Sequence, residues 1–197
     1  MRSAYYSSSI GRETKSLPIK GQQPFTTEID LFDAESHVFP YSDSTFDLVL
    51  CCELIEHLLH DPMHMLLECR RVLADDGLLV VTTPNAASLT SVWAVLEGRH
   101  NPQVFSRYPT QGNTDTPHVR EYAPHEIAQA LRSGGFQVDV LITERKLGAH
   151  HATWVLDILK ANDFDTSLRG EQIYCLARKR SSLPVDRFPQ FLYSPQS

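Results

Sequence analysis

Two short apolar runs without polar alternation stand in the middle of the chain. Phe46–Cys52 reads FDLVLCC and residues 78–83 read LLVVTT. Strands buried on both faces have this pattern, because helices cover each side of a parallel sheet. We therefore predict two neighbouring parallel strands, each buried on both faces.

A helical pattern separates these runs. Asp61 and Pro62 suit the cap and first turn of a helix, and apolar residues then recur at helical spacing until Asp75-Asp76-Gly77 ends it. Strand, helix and strand in this order form a βαβ unit, whose ligands bind beyond the carboxyl ends of the strands. Those ends carry Cys52 and Glu53 after the first strand and TTPN after the second.

The remaining patterns extend the α/β organisation. Strands are predicted at 28–33, 136–143 and 172–178, and helices at 86–96, 124–132 and 152–160. Residues 99–121 form a long polar loop, which we expect to exclude water from a site. Residues 1–24 show little periodicity and read as mostly disordered. The chain is thus divided into a polar arm (1–27), one domain (28–180) and a proline-rich tail (181–197).

Composition and charge narrow the function classes. The chain has 197 residues, of which 42% are hydrophobic, and a formal net charge of −6, which disfavours a nucleic-acid partner. No segment reaches the roughly 18 apolar residues of a transmembrane helix, and no signal peptide is visible. The four cysteines form no CxxC pair and read as reduced. We expect a cytoplasmic protein that binds no membrane.

Four motifs resemble the class I S-adenosylmethionine-dependent methyltransferases. They are DAE at 33–35, FPYSDSTFDLVLCCELIEHL at 39–58, CRRVLADDGLLVVTTPN at 69–85, and HVREYAPHEI with GGF within 118–136. The resemblance covers about residues 28–180. It implies an α/β, Rossmann-like sheet, mostly parallel, with strand order 3-2-1-4-5-7-6 and an antiparallel strand 7. Strand 3 would be 28–33, strands 4 and 5 the two apolar runs, and strands 6 and 7 the last two predicted strands.

The resemblance also implies S-adenosylmethionine as cofactor. Asp33 matches the carboxylate that accepts the adenine amino hydrogen, and the Ala34 backbone N–H would meet the ring. Cys52, at the end of strand 4, is a further cofactor-binding candidate.

The glycine-rich turn of the family's first motif has no counterpart. Gly11 and Gly21 are the only glycines before Gly77, and without such a turn no backbone approaches the amino-acid half of the cofactor closely. We expect strands 1 and 2 to be absent, which leaves one edge of strand 4 open. The chain is then an N-terminally truncated product or fragment, or a second copy or another partner covers that edge.

Two glutamates and two histidines form the candidate reaction site. Glu53, Glu56 and His57 follow strand 4 within one turn, and His118 lies at the end of the long loop. Small-RNA 2′-O-methyltransferases place two Glu and two His in a similar order, and this resemblance implies Mg²⁺, Mn²⁺ or Zn²⁺ held by these four residues. In two alternatives His57 is a general base, or Glu56 and His57 form a structural pair.

The leading hypothesis is methyl transfer to an oxygen, or less readily a nitrogen, of a small-molecule or glycan acceptor. The alternative is a non-catalytic or partner-dependent protein with the methyltransferase fold, which the missing glycine turn favours. A dinucleotide oxidoreductase is a weaker third hypothesis, because it needs the same glycines.

Overall fold

Two β-sheets and four α-helices make up the described part of the chain. The computed structural model describes residues 3–6, 11–18, 20–21, 23–99, 118–145 and 153–193. The strands are β1 (Ser3–Tyr6), β2 (Gly11–Leu17), β3 (Phe25–Phe32), β4 (Phe46–Cys52), β5 (Leu73–Pro84), β6 (Phe136–Glu144) and β7 (Gln172–Lys179). The helices are α1 (Pro62–Val72), α2 (Leu89–Leu96), α3 (Pro124–Ser133) and α4 (Thr153–Ala161), and a 3-10 turn spans Ile55–His57. None of these helices has the length and apolar character needed to cross a bilayer.

The larger sheet has the order β4-β5-β7-β6. β4 and β5 are parallel, with Leu50 opposite Val80, whereas β7 is antiparallel to both of its neighbours. The predicted parallel pair and the antiparallel strand 7 are therefore confirmed. Within the described residues β4 is the end strand of this sheet, and β3 belongs to a separate sheet. Among the described residues, no strand lies between β3 and β4 in the position of strands 1 and 2 of the methyltransferases that the chain resembles.

Helix α1 connects the two parallel strands as predicted. The Asp61 carboxylate caps it by accepting the backbone N–H of His64 at 3.0 Å, and Pro62 occupies its first position. Its apolar residues pack into the main core together with the buried face of the sheet. β5 begins directly after the helix, five residues before the predicted start at 78. Asp76, with φ +62°, lies in the irregularity between the two parts of this strand.

One face of the larger sheet is exposed, although both faces of its parallel strands were predicted to be buried. Leu48 and Leu50 of β4 are 50% and 59% exposed, whereas Cys51 between Leu50 and Cys52 is buried. Val140 of β6 lies on the same face as Leu50 through the register of β5 and β7, and it is exposed as well. Because apolar residues occupy both faces of β4, the sequence pattern does not distinguish the covered face from the open one.

The N-terminal segment forms strands in place of the predicted disordered arm. β1 pairs with β3 in parallel and β2 pairs with it in antiparallel fashion, so the three make a small sheet in the order β1-β3-β2. Arg12 of β2 donates to the Asp30 carboxylate of β3 at 2.7 Å. Periodicity misses β2 because it is polar and mostly exposed, so its stability comes from backbone pairing and this ion pair.

The C-terminal tail is bound to the start of α1. Tyr193 donates its hydroxyl to the Asp61 carboxylate at 2.6 Å, and Arg187 donates to both oxygens of the same group. Burial alone would raise the pKa of Asp61, but the hydrogen bonds from Arg187, Tyr193 and the His64 backbone lower it from 3.8 to about 2. The described part of the tail is thus an integral part of the fold.

Asp61→Asn is expected to lower the free energy of unfolding by about 2 kcal/mol at pH 7, since a pKa depressed from 3.8 to about 2 corresponds to that difference. The folded-state pKa lies below the unfolded value. The contribution is therefore complete above about pH 4 and is lost as the pH falls through about 2. Urea unfolding at pH 7, 4 and 3 measures it, with Asp157→Asn on exposed α4 surface as the control. A difference between wild type and Asp61→Asn that does not shrink toward pH 3 would contradict the tail-binding role of this carboxylate.

Candidate active site

The carboxyl ends of β4 and β5 form one edge of the larger sheet. Cys52 lies opposite Thr82, and the Glu53 backbone N–H donates to the Thr82 carbonyl at 2.9 Å. Glu53 has φ +51°, a left-handed conformation that costs a residue with a side chain about 1–2 kcal/mol. The chain therefore leaves β4 in a sharp turn and enters the 3-10 turn that carries Glu56 and His57.

Glu56 is a fully buried acid at this edge, with 0% exposure. Its Oε2 accepts the hydroxyl of Thr83 at 2.8 Å, whereas its Oε1 has no hydrogen-bond partner among the described residues. Burial raises the pKa of the Glu56 carboxyl, although the hydrogen bond from Thr83 acts in the opposite direction. A buried carboxylate oxygen without a hydrogen-bond donor lowers the stability of the folded state.

Two histidines approach the unpaired oxygen of Glu56. His57 Nε2 lies 4.0 Å from Glu56 Oε1, and the ring of His118 stands edge-on to that of His57 with 4.8 Å between centroids. Potential ligand atoms of all three side chains lie within 4.8 Å of one another. The structure thus brings together three of the four residues of the predicted metal set.

Backbone hydrogen bonds fix the approach of His118. The N–H groups of Val119 and Arg120 both donate to the Glu56 carbonyl, at 2.7 and 3.2 Å. His118 Nδ1 lies 3.4 Å from the Glu121 carboxylate. Glu121 was not predicted as a site residue, although its position three residues after His118 was a usable signal.

Glu53, the fourth predicted ligand, lies outside this group. Its Oε1 accepts the Thr82 hydroxyl at 2.8 Å and the Gln172 side-chain amide at 2.5 Å. The left-handed turn at Glu53 separates its carboxylate from that of Glu56. The prediction that Glu53, Glu56 and His57 face the same side within one turn after β4 is therefore wrong for Glu53. Gln172 has no sequence signal, since it reaches the site only through the pairing of β7 with β5.

The predicted adenine-binding residues follow β3. The Asp33 carboxylate accepts the Glu35 backbone N–H at 2.8 Å and the Ser36 hydroxyl at 2.7 Å. Burial alone would raise the pKa of Asp33, but these hydrogen bonds lower it overall, which keeps the carboxylate ionised and able to accept a further hydrogen. Ala34 is buried in the main core. Cys52 is exposed at the end of β4.

The described glycines before Gly77 do not form a cradle for a ligand. A Cβ added at Gly11 or at Gly21 would meet nothing within 4 Å, so neither backbone is closely packed. The residues at the end of β3 fit the adenine end of S-adenosylmethionine, whereas those described here lack the close backbone approach for its amino-acid end. The predicted loop 99–121 lies mostly outside the described residues, which omit 100–117.

Comparisons with known proteins agree with this geometry. A family model described as Methyltransferase domain matches residues 11–81. A Mycobacterium tuberculosis protein named as a probable S-adenosylmethionine-dependent methyltransferase is 28% identical over 152 residues, which are 74% of this chain and 47% of that protein. The chain is thus similar to S-adenosylmethionine-dependent methyltransferases over the residues that these matches cover.

Solved structures show the methyltransferase fold over most of the chain. A methyltransferase of Thermotoga maritima, described as a possible histamine N-methyltransferase, superposes with a TM-score of 0.51 at 17% identity, covering 77% of this chain and 64% of its own. One from Methanosarcina mazei gives 0.50 at 15% identity, covering 77% and 66%. The chain spans about half the length, 47%, of this Mycobacterium tuberculosis relative.

Proposed function

We propose that this chain transfers a methyl group to a hydroxyl oxygen of a small molecule or glycan at the carboxyl end of β4. The observation that carries the proposal is the group of Glu56, His57 and His118 beside that strand end, in a sheet with the methyltransferase strand order. An alcohol is a weak nucleophile until it loses its proton, whereas a neutral amine attacks with its own lone pair. Imidazoles at the reaction site therefore favour oxygen over nitrogen as the acceptor atom.

S-adenosylmethionine supplies the methyl group, whose C–S bond breaks as the new C–O bond forms. His57 receives the hydroxyl proton on a ring nitrogen, and its side chain is 22% exposed and so can be reached by an acceptor. Glu56 Oε1, 4.0 Å from His57 Nε2, stabilises the positive charge that the ring gains. Asp33 holds the adenine end, and Ala34 and Cys52 complete the proposed cofactor contacts.

The second candidate is a non-catalytic or partner-dependent role. The open surroundings of Gly11 and Gly21 favour it, because they leave the amino-acid end of the cofactor without a backbone cradle. In this version a second copy or another protein binds along β4, the end strand of its sheet in the described residues, and completes the cofactor site.

Release of S-adenosylhomocysteine tests the two candidates. The full chain is incubated with millimolar S-adenosylmethionine and with pairs of acceptors that share a carbon skeleton and differ only in bearing a hydroxyl or an amine. We expect release that depends on the hydroxyl members. Release with the amines alone would contradict oxygen transfer. No release in either series would favour the non-catalytic role.

A further inference from the structure

We propose that the uncovered face of the larger sheet binds a second copy of this chain. We call it the open face, and its apolar side chains are Leu48, Leu50, Val80, Leu176, Val140 and Ile142. In the pair, the open faces of two copies pack against each other, so that the two four-stranded sheets form the layers of a sandwich. The proposal concerns the face of the sheet and not the edge of β4, and it does not depend on methyl transfer.

The helices α1 and α3 cover one face of the larger sheet only. They pack with Cys51 of β4, Val81 of β5 and Cys175 of β7 in the main core. α2 and α4 pack against each other in a separate cluster of helix residues. Because side chains alternate along a strand, Leu50 and Leu176 project from the opposite face, which α1 and α3 leave open.

The open face is continuous across all four strands. Leu50 lies opposite Val80, which lies opposite Leu176 of β7, and Val140 of β6 completes the row. Exposure is greatest on the two outer strands, where Leu50 is 59% and Ile142 54% exposed, whereas the residues between them are half-buried. Soluble monomers seldom expose continuous apolar patches beyond a few hundred Å², and larger patches mark interaction surfaces.

The size of the open face suits a pair of identical chains. Four strands about 4.8 Å apart, each with about seven residues that rise about 3.3 Å, cover about 19 by 23 Å. Two such faces remove about 900 Å² from solvent before the relief of the side chains is counted, close to the 1,000 Å² or so that a specific interface needs. Contact between identical faces has two-fold symmetry, so each copy covers the other and no third chain is added.

The undescribed parts of the chain offer little apolar cover for this face. Residues 100–117 are the longest of them, and their large apolar and aromatic side chains are Val104, Phe105 and Tyr108. The other positions of this segment are polar residues, proline or glycine. A segment of this composition buries too little apolar surface to replace a second sheet.

The charged ends of the open face favour antiparallel strands in the pair. Glu53 and Glu144 lie at the end where β4 and β5 finish. Arg178 lies at the opposite end, where it also pairs with Asp139 of its own chain. Antiparallel strands place the carboxylates of each copy near the arginine end of the other. Parallel strands would bring the carboxylates of both copies together, and like charges across an interface oppose binding.

The pair leaves the candidate active site accessible. Thr83, whose hydroxyl donates to Glu56, alternates with Thr82 and so belongs to the face that α1 and α3 cover. His57 and His118 are grouped with this same carboxylate. Burial of the open face is therefore compatible with the entry of an acceptor to His57.

Sedimentation velocity of the full chain, without cofactor or acceptor, tests the pair. Between about 1 and 100 µM, at the weak end of protein interfaces, the mass should rise from 22.3 kDa to twice that value and no further. A mass of 22.3 kDa at every concentration would overturn the proposal and would leave the open face to a different protein. Species larger than the pair would overturn it too, because two identical faces close on each other.

Substitutions on the two outer strands separate face pairing from edge pairing. Leu50→Asp on β4 and Ile142→Asp on β6 each place two carboxylates in the apolar contact and should raise its dissociation constant at least about 100-fold. Leu59→Asp and Ile158→Asp change residues that are 61% and 45% exposed elsewhere, and they should pair like wild type. Loss of the pair in Leu50→Asp alone would overturn the face contact in favour of the β4 edge, and pairing that survives both substitutions would overturn it outright.

Thermal unfolding at two concentrations supplies an independent measurement. All four variants should fold, because each substituted side chain is exposed in the single chain. The wild-type melting temperature should be higher at about 100 µM than at about 1 µM, since pairing stabilises the folded chain by mass action. In Leu50→Asp and Ile142→Asp it should not depend on concentration. A wild-type melting temperature that stays the same at both concentrations would contradict the pair.

Discussion

Replacing His57 with glutamine is expected to slow methyl transfer by about 100- to 10,000-fold, the range that a positioned general base contributes. Glutamine has a similar reach and still forms hydrogen bonds, but it cannot take up the proton of the acceptor's hydroxyl. The turnover number should fall while the KM for S-adenosylmethionine stays close to the wild-type value, because the proposed role of His57 is to take the acceptor's proton and not to bind the cofactor. Steady-state kinetics of S-adenosylhomocysteine release measures both.

His60 offers a matched control for this substitution. It follows three residues later in the same segment, its side chain is exposed, and its backbone N–H donates to the Glu35 carboxylate. His60→Gln should retain the wild-type rate within about twofold, in line with ordinary surface substitutions. A loss of less than about tenfold in His57→Gln would remove His57 from proton transfer.

The 197-residue chain is also expected to bind S-adenosylmethionine with a dissociation constant at least about 100-fold above the low-micromolar range. Each charge-assisted hydrogen bond that the amino-acid end lacks costs about 1.5–3 kcal/mol, or about 10- to 150-fold in affinity. Gly11 and Gly21, with open space around them, do not supply these contacts. Calorimetric titration measures the affinity, and a low-micromolar dissociation constant would contradict this account of residues 1–27.

The affinity of the chain for adenosine shows which end of S-adenosylmethionine it binds. If Asp33 binds the adenine and the amino-acid end makes few contacts, adenosine should bind within a few-fold of S-adenosylmethionine. Asp33→Ala should weaken both by about 10- to 150-fold, whereas Asp157→Ala on α4 should not. Affinities that remain unchanged in Asp33→Ala would remove this residue from the site.

The sequence predicts the βαβ unit well because its signals are local. Apolar runs without alternation mark β4 and β5, and the Asp61-Pro62 pair marks the start of α1 within one residue of its observed position. The strand order β4-β5-β7-β6 followed from the family resemblance, since strand pairing between distant segments leaves no mark in periodicity. For the same reason β2, a polar strand that depends on backbone pairing, was not foreseen.

The candidate site was predictable only in part. Spacing placed Glu56 and His57 in one turn after β4, and the resemblance to small-RNA 2′-O-methyltransferases added His118 at the end of the long loop. Glu53 was included because a regular helical turn was assumed where the backbone is left-handed. Gln172 was not predictable, because it reaches Glu53 only through the pairing of β7 with β5.

The fate of a labelled methyl group shows whether the chain methylates a hydroxyl oxygen of its acceptor. The full chain is given millimolar S-adenosylmethionine carrying a trideuteromethyl group, together with the hydroxyl acceptor that releases most S-adenosylhomocysteine, and the product is located by mass spectrometry. We expect one label on the acceptor's oxygen for each S-adenosylhomocysteine formed, with the label lost in His57→Gln and kept in His60→Gln. Label on a nitrogen or carbon of the acceptor, or equal labelling by His57→Gln and wild type, would contradict it.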